Sequence, residues 1–96
     1  MDKLKILQKL RKLKPVLQEN YGLSEIALFG SYSRDEQTME SDIDIMVDFS
    51  TPIVIEYFDL VYTLNDTFKN NKVQVVSKKG IKQKYFDRLK QDLVYV

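Results

Sequence analysis

Ninety-six residues with a net charge of +1 are enough for one domain with one core, and they give no electrostatic case for direct nucleic-acid binding. The chain has no cysteine and no histidine, which excludes a disulfide framework, a thiolate or imidazole metal site and the commonest general base. Any metal must then be held by oxygen ligands, which favours Mg²⁺ or Mn²⁺. No apolar run has the length needed to cross a bilayer, so no membrane partner is expected. The N-terminus reads as a charged amphipathic stretch, not a signal peptide, and cytoplasmic residence is the default expectation.

Leu4, Leu7, Leu10, Leu13 and Leu17 recur at helical spacing behind Asp2, a candidate N-cap, and Gly22 has the composition of a helix end. Pro15 predicts a break near Lys14 and a short second helix from Pro15 to about Asn20. A strand is expected at Glu25–Phe29, a helical turn from Ser31 to about Glu36, and a polar loop to Ser41. From Asp42 to Phe49 the residues alternate, with Ile43, Ile45, Val47 and Phe49 on one face and Asp42, Asp44, Met46 and Asp48 on the other.

Thr51-Pro52 predicts the start of a helix running to about Asn70, with Val54, Tyr57, Phe58, Val61, Leu64 and Phe68 as its apolar stripe. Ile55 and Tyr62 widen that stripe beyond what a small core needs, so part of the helix is a candidate protein-contact surface. Lys72–Ser77 reads as a third strand, and Ile81 to about Asp92 as a last helix with Ile81, Tyr85, Phe86 and Leu89 inward. The closing Leu93–Val96 is apolar and should pack on the body. The order α-β-(turn)-β-α-β-α predicts an α+β fold, a small mixed sheet of three strands with helices on one face.

The chemistry is concentrated between Leu28 and Phe49. Side chains two apart on a strand share a face, about 7 Å apart, so Asp42 and Asp44 can converge on one hard cation or bracket two. Gly30 lets a phosphate approach the backbone, and Ser31 offers a hydroxyl beside the free N–H groups of a turn. Arg34 either adds positive charge near those phosphates or pairs with Glu36 or Asp35 on the surface. Taken singly, an Asp-x-Asp is most often a solvated strand face, and a Gly-Ser is most often a strand-to-helix turn. The combination is more specific than either part.

Gly30-Ser31, ten residues, then Asp42-Ile43-Asp44 resembles the signature of the polymerase-β-type nucleotidyltransferases, and more narrowly that of the minimal nucleotidyltransferase family. The likeness extends from Tyr21-Gly22 through Lys72-Val73 to the closing Asp92–Val96, so residues 1–96 are expected to form one domain with the polymerase-β palm-like fold. It implies Gly30 and Ser31 around a triphosphate, Asp42 and Asp44 as catalytic ligands of Mg²⁺ or Mn²⁺, and ATP or another nucleoside triphosphate as substrate. It also implies transfer of a nucleotidyl group, AMP from ATP in the simplest case, to a hydroxyl on a protein partner. Many members are antitoxins of a helical HEPN-type toxin, and self-association is compatible with the pattern. One residue departs from the family: Gln74 stands where a third carboxylate is expected. An amide cannot take a proton from an attacking hydroxyl. The alternative to an enzyme is therefore a binding module with weakened catalysis that neutralises its partner by complex formation. Asp35 stands where the family carries a glycine, a position expected to need positive φ.

Overall fold

A computed structural model describes residues 1–96. The leucine pattern of the N-terminal segment forms one helix, α1 (Lys3–Tyr21). The Asp2 carboxylate caps it, accepting a hydrogen bond from the Lys5 N–H at 2.9 Å. Gly22 ends it at φ +68°, its N–H donating to the Gln18 carbonyl. The helix runs through Pro15 without the expected break. Proline removes only the hydrogen bond to the Arg11 carbonyl; both residues are exposed, so water can satisfy that group. Leu10 and Leu17, on either side of the proline, are fully buried in the same core and hold the two halves in line.

Next come β1 (Leu23–Phe29), β2 (Ile43–Phe49), α2 (Ile55–Thr67), β3 (Val73–Ser77), a 3₁₀ turn at Lys78–Gly80, α3 (Gln83–Leu89), a second 3₁₀ turn at Lys90–Asp92, and β4 (Val94–Tyr95). The sheet has four strands, not three, in the order β3-β2-β1-β4. The closing apolar residues add the extra strand: Val94 and Tyr95 pair antiparallel with Leu28 and Ala27, and the Val96 N–H donates to the Ile26 carbonyl. β1 and β2 are antiparallel, β2 and β3 parallel, so the sheet is mixed as expected.

One face carries the main core. Ile26, Leu28, Ile43, Ile45, Val47 and Val73 pack with Ile6, Leu10 and Leu17 of α1 and with Leu60 and Leu64 of α2. Truncating a fully buried leucine such as Leu10 to alanine should cost about 2–5 kcal/mol. The other face is also covered, a correction to the one-sided expectation. Ala27 and Met46 lie in register there and are fully buried, yet stand apart from the main cluster. The segment after β3 covers this side, with the Lys78 ammonium both on Glu25 and over the Phe86 ring.

The helix boundaries shift. α2 begins at Ile55 without side-chain capping, so Thr51-Pro52 is not its start. Its buried stripe is Leu60, Leu64 and Phe68, flanked by half-buried Tyr57 and Val61. Val54 and Phe58, expected inward, point out with Ile55 and Tyr62, each 71–76% exposed. The Tyr57 hydroxyl donates to the Val75 carbonyl at 3.3 Å, which fixes the rotation of the helix. α3 is shorter than the predicted span and buries no residue fully; Ile81, Phe86 and Leu89 are half-buried and Tyr85 is exposed.

Candidate active site

The bend after β1 is built locally. Gly30 takes φ +77°, a left-handed conformation that other residues enter at a cost. One helical turn follows, closed by Asp35 N–H to the Tyr32 carbonyl at 3.3 Å and Glu36 N–H to the Ser31 carbonyl at 2.9 Å. That double closure requires a left-handed residue, and Asp35 supplies it at φ +57°. Aspartate thus adopts the conformation for which the resembling family uses glycine. Arg34 is the first residue of the turn whose N–H is bonded back, to Gly30 and Ser31 at 3.2 Å, so the N–H groups of Ser31, Tyr32 and Ser33 precede the bonded ladder.

The sheet register brings the carboxylates to this bend. Asp44 lies opposite Phe29, the residue before Gly30, and beside Gln74 on the parallel neighbour. A Cβ added to Gly30 would sit 2.2 Å from Asp44 Oδ2. The carboxylate therefore occupies the space that the missing side chain leaves. Asp42 immediately precedes β2 and acts on the same group. The Asp44 carboxyl is held above its ordinary range by burial first and by the Asp42 charge second, while the Arg34 charge pulls the other way. Gly30, Asp42, Asp44 and the field of Arg34 thus meet at one place, with Ser31 opening the turn beside them.

Arg34 itself is engaged. Its Nε donates to Glu36 at 3.1 Å and its Nη1 to Asp92 at 2.6 Å, and these two carboxylates raise its pKa, Glu36 first. The surface pair with Glu36 forms, as one of the two expectations held. Asp92 was not foreseen. It clamps the bend twice, since the Ser33 hydroxyl also donates to its backbone carbonyl. The signals in the sequence were the family likeness of Asp92–Val96 and its apolar residues, which pair with β1 and carry Asp92 to the bend.

No third carboxylate joins Asp42 and Asp44. Gln74 occupies the neighbouring position on β3, in register with Asp44 and exposed. Asp48, Glu36 and Glu40 do not substitute: Asp48 faces Lys79 at 3.9 Å, Glu36 holds Arg34, and Glu40 stands exposed in the loop. The donor set is therefore two carboxylates and an amide carbonyl, all oxygen. Two like charges close enough to raise one pKa, with the nearest cation committed elsewhere, suit a hard divalent ion between them.

The family described as "Nucleotidyltransferase domain" matches residues 10–95. A protein of Methanocaldococcus jannaschii, provisionally named a protein adenylyltransferase, is 46% identical over 89 residues, covering 91% of this chain and 90% of the relative. The protein adenylyltransferase MntA of Thermococcus cleftensis is 34% identical over 84 residues, covering 86% of this chain and 84% of its own. Among solved structures, one described as a minimal nucleotidyltransferase superposes with a TM-score of 0.78 at 23% identity, covering 98% of this chain and 95% of the other. The complex of a tri-AMPylated Shewanella oneidensis HEPN toxin with its MNT antitoxin contains a chain that matches at a TM-score of 0.60 and 22% identity, over 97% and 66% of the two chains. At these identities the structures speak to the fold, and the sequence matches speak to the family. Placed on the geometry of Gly30, Asp42 and Asp44, these matches show that the chain belongs to the nucleotidyltransferase domain family, within its minimal, MntA-like branch.

Proposed function

We propose that this chain transfers AMP from ATP to a hydroxyl of a helical HEPN-type toxin and serves as its antitoxin. The observation that carries the reading is the closeness of the Gly30 bend to the Asp44 carboxylate, which supports a phosphate cradle and a metal-binding acid acting on one ligand. The names of the relatives support adenylyl transfer to protein, and the toxin complex supports the partner.

In this reading the Gly30 backbone and the leading N–H groups of the turn hold the triphosphate oxygens, with the Ser31 hydroxyl beside them. Asp42 and Asp44 hold a divalent ion, Mg²⁺ or Mn²⁺, which supplies charge stabilisation to the reacting phosphate. Arg34, steadied by Asp92, adds a fixed positive field. Gln74 orients the incoming hydroxyl as a hydrogen-bond partner and takes no proton from it. The outward side of α2, with Val54, Ile55, Phe58 and Tyr62 exposed together, offers apolar surface suited to a protein partner.

The second reading, a binding module that neutralises the toxin by occupying it, is favoured by Gln74 and by that same surface. The experiment incubates the chain with its cognate helical toxin, Mg²⁺ or Mn²⁺ and α-labelled nucleoside triphosphates. Label on the toxin that disappears with Asp42→Asn and with Asp44→Asn supports the transferase. A tight unlabelled complex, unchanged by either substitution, replaces it with the binding module.

A further inference from the structure

The net charge of +1 averages two regions of opposite sign. Residues 1–22 hold six of the fifteen Lys and Arg residues and two of the fourteen acids, a net +4, and the rest of the chain is net −3. The excess is also ordered in space. Lys5, Lys9 and Lys12 recur at i, i+4 and i+7, so they form one row about 10.5 Å long on a single face of α1. All three are exposed, and neither they nor the exposed Lys69 enters an ion pair. The row leads into a cavity of about 430 Å³ between the start of α1 and the end of α2, where Lys5 and Lys9 meet Lys69, Asn70 and Asn71. The Lys9 ammonium lies 5.8 Å from the centre of the Phe68 ring, which ties the row to that edge.

No acid lines this cavity. The positive end of the α1 dipole and the negative end of the α2 dipole meet there and offset one another, so the lysines set the sign. Like charges at i and i+4 repel, and with no ion pair to relieve them they favour an anion from outside. A row of cations suits a linear polyanion better than a compact one. A protein partner would also need an apolar anchor, and Met1 is the only exposed apolar residue in the lining. The Asn70 amide instead offers a neutral donor of the kind that contacts phosphate and sugar oxygens. We infer that the α1 row and the Lys69 end of α2 bind the phosphodiester backbone of a nucleic-acid strand without reading its bases. Net charge conceals this surface because the acids that cancel it lie elsewhere on the chain.

The inference does not depend on the transferase reading. Its test titrates a fluorescein-labelled oligouridylate of about twelve nucleotides with the full chain, followed by anisotropy. The dissociation constant should be on the order of 10⁻⁵ M at about 50 mM salt. With four lysines engaged, log K should fall against log salt with a slope of about −2.8, roughly fiftyfold between about 50 and 200 mM. Combining Lys5→Gln, Lys9→Gln and Lys69→Gln should weaken binding at least about tenfold and bring the slope to about −0.7. Combining Lys82→Gln, Lys84→Gln and Arg88→Gln removes the same charge from exposed positions at α3 and should leave affinity within about twofold. An oligoadenylate should bind within about threefold of the oligouridylate, since no base is read. Absence of binding up to about 10⁻³ M protein would overturn the assignment, as would equal losses in the two triple variants. Strong preference for one base would overturn it as well. An oligoglutamate of the same charge that binds as tightly would give the row to an acidic protein segment instead. Displacement of the oligonucleotide by Mg²⁺ with a non-hydrolysable ATP analogue would move its binding to the Gly30 bend and so defeat the proposal.

Discussion

β2 carries an acid near each end of the same face, and the two are treated in opposite ways. Asp48 is met by its own chain: Lys79 stands 3.9 Å away, and Lys78 neutralises the neighbouring Glu25 at 3.2 Å. Asp44 is met by another carboxylate and by the space left at a glycine. The first arrangement balances charge locally, although Asp48 Oδ1 stays buried without a hydrogen-bond partner. The second leaves negative charge gathered at a half-buried position, which favours an outside cation. Like charges kept together, with only the partial compensation of Arg34, are the mark of a site whose energetics are completed by what binds there.

Substitution at Gly30 should disturb the Asp44 end of the strand most severely. Gly30→Ala meets φ +77° and a carboxylate oxygen at 2.2 Å, so Asp44 must swing away. Backbone strain should cost roughly 1–2 kcal/mol. Transfer should fall by on the order of 10²–10³, as it should for Asp44→Asn, when scored as label on the toxin. Gln74→Asp is expected to act in the other direction, raising transfer by on the order of 10² if a proton acceptor is the missing part. Titration calorimetry should show tighter Mn²⁺ binding in the same variant.

A subtler test separates the two acids by pH. The native Asp44 carboxyl holds its proton more tightly than its ordinary value of 3.8, so its contribution to stability is fully present below that value. It is lost as pH rises through the raised native pKa. Asp44→Asn removes the ionisation, so its melting temperature should gain on the parent's across that interval and keep the advantage at neutral pH. Saturating Mg²⁺ should narrow the gap by stabilising only the parent. The smallest effect belongs to the other end of the strand. Lys79→Ala takes an exposed ammonium away from the mostly buried Asp48 and from the Phe49 carbonyl, and should cost about 1 kcal/mol in denaturant melts, with transfer within about twofold of the parent.

The sequence disclosed whatever depends on neighbours along the chain. Strict alternation from Asp42 to Phe49 reveals a strand and puts both acids on one face. The Asp2 and Gly22 caps depend on single residues, and the positive φ at position 35 follows from the turn it closes. What stayed hidden depends on distant surfaces. Pro15 is tolerated because the carbonyl it orphans faces water, which only the packed structure decides. The rotation of α2 is set by the Tyr57 bond to β3, so a stripe read from spacing alone turned Val54 and Phe58 the wrong way. The clamp of Asp92 on Ser33 and Arg34 spans 59 and 58 positions, too far for any periodicity along the chain to show it.

That clamp also orders events during synthesis. The bend at Gly30-Ser31 leaves the ribosome well before its support, since Asp92 lies 58 positions beyond Arg34 and β4 follows it. Contacts of such sequence separation form late, because the intervening chain must be ordered first. A nascent chain can hold its main core while the bend remains unbraced, so competence for the ligand should arrive after compactness.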